Sequence, residues 1–303
     1  MLNLQSIDTE QRNERSMHID RLSTLEMLQV INEEDHKVAE AVKLVLPEIA
    51  QAVDVIYAQI RSGGRLVYCG AGTSGRLGVV DASECPPTYG VDPGLVVGLI
   101  AGGPSALTTA IEGAEDNPAL GEADLKNLGF SSKDALVGIA ASGRTPYVLG
   151  AMDYARGQGA PVIALTCCRD SELSRHADIT IAPLPGPEVI TGSSRMKSGT
   201  AQKLVLNMLS TAVMVKLGKV YGNLMVDVKA TNEKLHHRAM SIVRTVTQAE
   251  DDAVRRALEE SGFSCKTAIV MLLLGLDADD AAAALARADG RIAQALEQEG
   301  PAK

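Results

Sequence analysis

The stretch LVYCGAGTSGR, residues 66–76, combines a short apolar run, a glycine-rich loop and the start of a helix. The glycines at positions 70, 72 and 75 allow the backbone to turn tightly and to approach a ligand closely. Four further runs of aliphatic residues follow along the chain, each bounded by Gly, Ser or Pro. They cover residues 95–100, 135–139, 162–165 and 179–182. Together with residues 66–69, these runs predict five buried strands.

Helical segments separate the predicted strands, at residues 76–82, 105–112, 146–158 and 171–176. Such alternation predicts an α/β fold with a parallel sheet covered by helices. Upstream, helical periodicity starts near Ser23, and a longer helix covers about residues 34–60 with a kink or a break at Pro47. Another helix covers about residues 199–217. From about residue 241 the chain is Ala-rich, and its glycine breaks predict three small helices packed as a subdomain.

Composition narrows the function classes. The 38 acidic residues outnumber the 29 basic ones, and no basic run of five occurs, so a nucleic-acid partner is not expected. The five cysteines are odd in number and lack CxxC spacing, which argues against a disulfide framework or a zinc site and suits a reducing cytoplasm. The sequence shows no signal-peptide pattern and no apolar run long enough to span a membrane.

Three loops share a construction that suits a phosphate. They lie at residues 69–76, 140–146 and 186–198, the last within GPEVITGSSRMKSGTAQKLVLN, residues 186–207. Each combines small residues and hydroxyls with a following helix, whose N-terminus attracts anions. The first two follow strands directly, and ligands of open α/β sheets lie at the carboxyl ends of strands. The candidates for holding phosphate or sugar are Thr73, Ser74, Ser142, Thr145, Ser193, Ser194 and Lys197.

Other interpretations of these loops remain open. The hydroxyls could simply cap helices, as Thr145 before Pro146 would do well. Arg76, Arg144 and Arg195 could each pair with a carboxylate of the fold. The glycine spacing of GAGTSG also resembles a dinucleotide fingerprint, but no acidic residue closes the next strand, which disfavours a nicotinamide cofactor.

Two acidic motifs lie near the same predicted edge. In DASECPP, residues 81–87, Glu84 follows the first short helix, which the two prolines are expected to end. In EGAED, residues 112–116, Glu115 lies at the end of the next predicted helix, where it opposes the macrodipole and suits proton transfer. Solvated surface acids are the alternative. His236 and His237 point to different helix faces, so joint metal binding is not expected, and His236 could be catalytic or merely packed.

These motifs resemble those of the N-acetylmuramic acid 6-phosphate etherases, a family of the sugar isomerase (SIS) superfamily. The resemblance covers nearly the whole chain and includes GAGTSGRLG at residues 70–78 and GIAASGRTPYV at residues 138–148. Residues 186–207 match a signature that this family shares with the glucokinase regulatory protein. The motifs DASECPP and EGAED are much more specific to the etherases.

The resemblance implies an SIS fold, with helices on both faces of a five-stranded parallel sheet and a small helical C-terminal region. We divide the chain accordingly into an N-terminal arm with helices (1–55), an SIS sugar-phosphate domain (56–225) and a C-terminal helical subdomain (226–303). The resemblance further implies a homodimer with active sites at the subunit interface, and the cysteine usage noted above predicts a cytoplasmic location.

The family reaction cleaves the D-lactyl ether of N-acetylmuramic acid 6-phosphate without a metal or an organic cofactor. By resemblance, Glu84 protonates the departing lactate and Glu115 removes the proton from C2, with the two roles exchangeable during hydration. His236 is the candidate for a histidine that assists ring opening from the neighbouring subunit. A non-catalytic sugar-phosphate sensor and an aldose–ketose isomerase are the alternatives. The presence of both glutamates in their motifs favours the etherase.

Overall fold

The computed structural model describes residues 8–228 and 233–300, and its five strands form one parallel sheet in the order β2-β1-β3-β4-β5. The strands are β1 (Leu66–Gly70), β2 (Val96–Ile100), β3 (Ala135–Ile139), β4 (Val162–Leu165) and β5 (Ile179–Ile181). Each coincides with a predicted run to within one residue at either end. The predicted fold class, a five-stranded parallel sheet flanked by helices, is therefore confirmed.

The two central strands, β1 and β3, are buried along their whole length. Their pairing is in register, so Gly70 at the end of β1 lies opposite Ile139 at the end of β3 and Ile100 at the end of β2. Parallel strands that end at one level place the loops that follow them side by side. The register thus brings residues 71–74 and residues 140–145 to the same edge of the sheet.

The chain forms two compact units, one of residues up to 83 with residues 94–210, the other of residues 84–93 with those from 211 onward. Eight helices are described before residue 217: α1 (Thr24–Asp35), α2 (Lys37–Lys43), α3 (Leu46–Arg61), α4 (Gly72–Tyr89), α5 (Pro118–Leu128), α6 (Pro146–Gly157), α7 (Glu172–Arg175) and α8 (Lys197–Lys216). Our sequence-based division assigned residues 211–225 to the SIS domain, whereas in the structure they lie in the second unit.

The N-terminal helices begin where local chemistry allows. The Ser23 side chain accepts a hydrogen bond from the backbone N–H of Glu26, whose carboxylate accepts in return from the backbone of Ser23, forming a capping box. The predicted long helix over residues 34–60 is divided into α2 and α3. Pro47 lies in the first turn of α3, where a missing N–H is tolerated, so the proline starts a helix rather than kinking one.

Two helix predictions in the α/β region were wrong, and one helix was not predicted. Helix α4 does not end before Glu84 but continues through Pro86 and Pro87, and the Gly90 N–H closes its last turn on the Pro86 carbonyl at 2.9 Å. The helix predicted over residues 105–112 is only a 3₁₀ turn, Pro104–Leu107, followed by a loop. Conversely, α5 was missed, although the Asn117 side chain caps it and Pro118 opens it.

Within residues 233–300, the second unit contains five helices rather than the predicted three. They are α9 (Glu233–Thr247), α10 (Asp251–Glu260), α11 (Cys265–Leu274), α12 (Ala278–Arg287) and α13 (Ile292–Glu299). The predicted breaks at Gly262, Gly275 and Gly290 all fall between helices, and each of these glycines has a positive φ. Helix α11 is buried on most sides within this unit's apolar core. None of the described helices is long and apolar enough to cross a bilayer.

A buried ion pair ties the N-terminal helices to α8. The ammonium of Lys197 lies 2.6 Å from Glu34 Oε2, and both side chains are only 1% exposed. Asn13 donates to the same oxygen at 2.9 Å, and Lys37 binds Oε1 at 2.6 Å. Burial acts to raise the pKa of Glu34, but the hydrogen bonds from Lys197, Lys37 and Asn13 outweigh it and lower the pKa from 4.5 to about 2.

We predict that Glu34→Gln lowers the free energy of unfolding at pH 7 by about 3 kcal/mol, because it leaves the buried Lys197 ammonium without its counter-charge. Urea unfolding followed by circular dichroism measures the change. The matched control is Glu33→Gln, whose carboxylate pairs with Arg15 at the surface and is 55% exposed, and which should cost less than about 1 kcal/mol.

The wild-type protein and Glu34→Gln together test how the stability contributed by Glu34 depends on pH. Since the pKa of Glu34 is lower in the folded state, its carboxylate contributes its full stability above about pH 4.5 and loses it as the pH falls towards about 2. The stability difference between wild type and Glu34→Gln should therefore narrow as the pH falls below about 4.5. A difference that stays constant with pH would contradict the assignment.

Candidate active site

A cavity of about 700 Å³ opens where the chain leaves the carboxyl ends of β1 and β3. Its volume falls in the range of small-molecule sites. We call it the main cavity. Its lining residues are Thr9, Glu10, Ala71, Gly72, Thr73, Ser74, Glu115, Asp116, Ala140, Ala141, Ser142, Arg144, Thr145, Pro146, Glu172 and Ser194.

Six of the ten predicted site residues meet in the main cavity: Thr73, Ser74, Ser142, Thr145, Ser194 and Glu115. They come from separate parts of the chain, and the sheet register brings the first two loops together. Ser193, Lys197, Glu84 and His236 do not line this cavity. The structure thus gathers the hydroxyl-bearing loops as expected and places the other candidates elsewhere.

Four of the hydroxyls in the cavity are available to a ligand. Thr145 lies at the N-cap of α6 but its side chain makes no capping hydrogen bond, so capping does not explain this residue. The hydroxyls of Thr73, Ser142 and Ser194 likewise make no hydrogen bond to any described residue. Ser74 differs, since its Oγ donates to Gln202 Oε1 at 2.9 Å and is buried with it.

Two helix N-termini face the same space. Helix α4 starts at Gly72 and α6 at Pro146, and residues of both first turns line the cavity. The first backbone N–H groups of a helix have no partner within it, and they carry the positive end of its dipole. At α6, however, Pro146 has no N–H, and the Tyr147 N–H donates to the Glu115 carbonyl at 3.0 Å. Of the two helices, α4 therefore offers backbone donors to an oxyanion in the cavity, while α6 contributes the positive end of its dipole.

Arg144 provides the positive charge of the main cavity. It follows Ser142 and Gly143 in the loop after β3, is half-buried, and has no carboxylate within ion-pair distance in the part of the chain that the structure describes. Four acids line the same cavity: Glu10, Glu115, Asp116 and Glu172. From the sequence, Arg144 was expected only as a possible ion-pair partner. Its position within SGRTP, between two candidate hydroxyls, was the signal that would have found it.

The third loop differs from the sequence-based interpretation. The anion at the N-terminus of α8 is the chain's own Glu188, fully buried, whose carboxylate accepts from the backbone N–H groups of Lys197 and Ser198 at 2.9 Å each. The Lys197 ammonium is buried against Glu34 and the Pro185 carbonyl. Lys197 therefore does not line the main cavity. Its ammonium is instead held and neutralised by the Glu34 carboxylate. From this segment only Ser194 lines the cavity.

Glu115 lies on the loop before α5, with an exposed side chain. Its backbone carbonyl accepts from the Tyr147 N–H at 3.0 Å, which anchors the loop to the first turn of α6. No helix ends beside it, so the macrodipole argument for proton transfer no longer applies. Glu115 also lines a second cavity of about 170 Å³, which we call the side cavity.

The two remaining candidates lie in the second compact unit. Glu84 is exposed near the end of α4 and lines neither cavity. His236, on α9, packs edge-on against the ring of Phe263, with 4.4 Å between ring centroids. Within a single chain, neither is part of the lining described above.

A parallel α/β sheet whose carboxyl edge presents free hydroxyls, two helix N-termini and an arginine is typical of sugar-phosphate proteins with the SIS fold. Family models agree: the SIS domain matches residues 122–212, the glucokinase regulatory protein N-terminal SIS domain residues 48–156, and the C-terminal lid domain of that protein residues 222–267.

Full-length relatives identify the family. An N-acetylmuramic acid 6-phosphate etherase of Aliivibrio fischeri is 58% identical over 97% of this chain and 98% of its own. One of Pectobacterium atrosepticum is 59% identical over 97% of each. The chain belongs to the N-acetylmuramic acid 6-phosphate etherase family. A phosphoheptose isomerase structure from Francisella tularensis covers 63% of this chain and 98% of that one, with a TM-score of 0.48 and 22% identity, too distant to transfer a substrate.

We predict that Thr145→Val leaves the melting temperature unchanged but weakens the binding of N-acetylglucosamine 6-phosphate about tenfold, the effect of one hydrogen bond to a charged group. Calorimetric titration measures the affinity. The control is Ser264→Ala, which removes a real N-cap of α11 and should cost about 1 kcal/mol of stability. Loss of stability in Thr145→Val with unchanged affinity would show that its hydroxyl serves the fold alone.

Proposed function

We propose that this protein cleaves the D-lactyl ether of N-acetylmuramic acid 6-phosphate to N-acetylglucosamine 6-phosphate and D-lactate, in the recycling of cell-wall amino sugars. The observation that carries the proposal is the 58% identity to relatives of that name over 97% of the chain. The five free cysteines support a cytoplasmic location, since thiols persist in a reducing compartment.

The main cavity suits the 6-phosphate. Arg144 supplies one charge, while Ser142, Thr145 and Thr73 supply hydroxyl donors beside the N-termini of α4 and α6. These donors are already in place, so binding requires little reorganisation. The four acids of the cavity would repel a phosphate that binds away from these donors. This repulsion favours a ligand whose phosphate is held at the donor end of the cavity only.

The chemistry requires acid and base groups beyond the phosphate site. In the open-chain aldehyde, the C1 carbonyl acidifies the proton on C2, and a carboxylate removes it. The C3–O bond then breaks, and the departing lactate oxygen takes a proton from a carboxylic acid. Water adds to C3 of the unsaturated aldehyde, and C2 regains a proton. No electrons are exchanged with another reactant.

We assign Glu115 as the base at C2. It is the candidate glutamate that lines the main cavity, and the bond from the Tyr147 N–H to its backbone carbonyl holds it beside the first turn of α6. Glu84 is assigned as the acid that protonates lactate, by its place in the etherase motif. The same two groups serve the hydration step in reversed roles.

We propose that a second copy of the chain completes the active site. Leu25 and Leu28 on α1 are 66% and 56% exposed, and Leu44, in the turn after α2, is 80% exposed, so they offer an apolar surface that a partner could cover. Val80, one turn before Glu84 on α4, is also 57% exposed. We therefore infer a homodimer in which one subunit supplies Glu115 and its partner supplies Glu84, with His236 assisting ring opening.

A sugar-phosphate sensor is the second candidate, because two of the matching family models describe the glucokinase regulatory protein. A sensor would bind the sugar phosphate through the same hydroxyls and Arg144. It would release no lactate, which separates the two functions in a single assay.

We expect the protein to release D-lactate from N-acetylmuramic acid 6-phosphate and, in heavy-oxygen water, to place the label on C3 of the sugar product. Glu115→Gln should lower the rate by about 10²–10⁴-fold, the usual contribution of a general base, while still binding the sugar phosphate. Asp116→Asn is the matched control, since Asp116 lines the same cavity. Lactate release by Glu115→Gln at nearly the wild-type rate would remove its catalytic role.

A mixing experiment tests the shared site. Glu84→Gln and Glu115→Gln are each expected to be inactive, but a mixture refolded together should recover about a quarter of wild-type activity. Half of its dimers are mixed, and each of these has one intact site if the two glutamates come from different subunits. A mixture that stays inactive, although dimers exchange, would place both glutamates in one subunit.

A further inference from the structure

The side cavity adjoins the main cavity and is much smaller, at about 170 Å³ against about 700 Å³. The two share Ala71, Gly72 and Glu115 as lining residues. The small volume lies below the range of independent ligand sites, so it suits one substituent of a ligand held in the main cavity. Most of its wall consists of small residues, and Arg76 is its only positive residue.

Arg76 is oriented but not neutralised. Its Nε donates to the Leu107 carbonyl at 2.9 Å, which fixes the plane of the guanidinium. Among the described residues, no carboxylate lies within ion-pair distance of it, and its terminal N–H groups make no hydrogen bond. A guanidinium fixed by one neutral contact retains its two outer donors for a carboxylate, which it binds in a two-point geometry.

Glu115 stands between the two positive charges, since it lines both cavities while Arg144 lines only the main one and Arg76 only the side one. A ligand with its phosphate at Arg144 and a second anionic group at Arg76 would therefore pass beside Glu115. The proposed substrate has two such anions, the 6-phosphate and the carboxylate of the lactyl group. The reacting C3 lies between them along the carbon chain, and C2 is bonded to C3.

We propose that the side cavity is the lactyl subsite and that Arg76 binds the lactyl carboxylate, an inference that rests on the proposed function. Glu112 and Glu115 also line this cavity and would repel a carboxylate without Arg76. The arginine thus distinguishes the substrate from its sugar product, which has a phosphate but no carboxylate. It also holds the lactate in place while the C3–O bond breaks.

The test compares two ligands. Arg76→Met should raise the KM for N-acetylmuramic acid 6-phosphate by about 30- to 100-fold, as expected for loss of a two-point charged contact. The inhibition constant of N-acetylglucosamine 6-phosphate should change less than about threefold, since that product lacks the carboxylate. Arg144→Met should weaken both ligands, and Arg195→Met, on the exposed part of the third loop, should weaken neither.

Arg76→Lys keeps the charge without the fork and should give an intermediate KM, which also guards against a variant that fails to fold. Equal weakening of both ligands, or of neither, would overturn the assignment of Arg76. If the wild-type protein releases no lactate, the proposed function fails instead. In that case, equal calorimetric affinities of wild type and Arg76→Met for N-acetylmuramic acid 6-phosphate would overturn the subsite as well.

Discussion

The hydrogen-bond ladder between β1 and β3 is the constraint on which the site depends. The two buried strands pair in register from Leu66 opposite Ala135 to Gly70 opposite Ile139, so both loops leave the sheet at the same level. Each loop then enters a helix, α4 or α6, whose N-terminus faces the common space. A register shift of one residue in either strand would separate Thr73 from Ser142 and turn one of the helix ends away. The position of the site is therefore set by the strand register of the sheet, and the side chains then determine its chemistry.

The electrostatics of this edge are unusual for an anion site, because acids outnumber bases in the main cavity. The positive charges that face the two cavities are those of Arg144 and Arg76. Neither has a carboxylate within ion-pair distance among the described residues. By contrast, Lys197 and the N-terminus of α8 are both neutralised by carboxylates of the fold, Glu34 and Glu188. The chain thus separates cations that stabilise the structure from cations that remain available for a ligand.

The sequence predicted the sheet well and the intervening segments less well. Buried strands leave a clear signal, since the runs 135–139 and 162–165 are apolar throughout, and the second is bounded by Pro161 and Thr166. Helices were harder to place: Pro86 and Pro87 suggested an end that α4 does not have, because prolines near a last turn remove few hydrogen bonds. Local pattern marked Ser142 and Thr145, which line the main cavity, but it could not show that Glu188 would occupy the third anion position. That outcome depends on residues far apart in the chain, and only the folded structure brings Glu34 to Lys197.

The short N-terminal segment before α1, from residue 8 onward, forms part of the wall of the main cavity. Thr9 and Glu10 line the main cavity, the Asp8 carboxylate accepts from the backbone of Arg169, and Ser16 donates to the Val189 carbonyl at 2.7 Å. Asn13 completes the connection by bonding both the buried Glu34 and the Pro187 carbonyl. Shortened versions of the protein that begin at the first regular helix would therefore lose one side of the binding space and one donor to a buried charge.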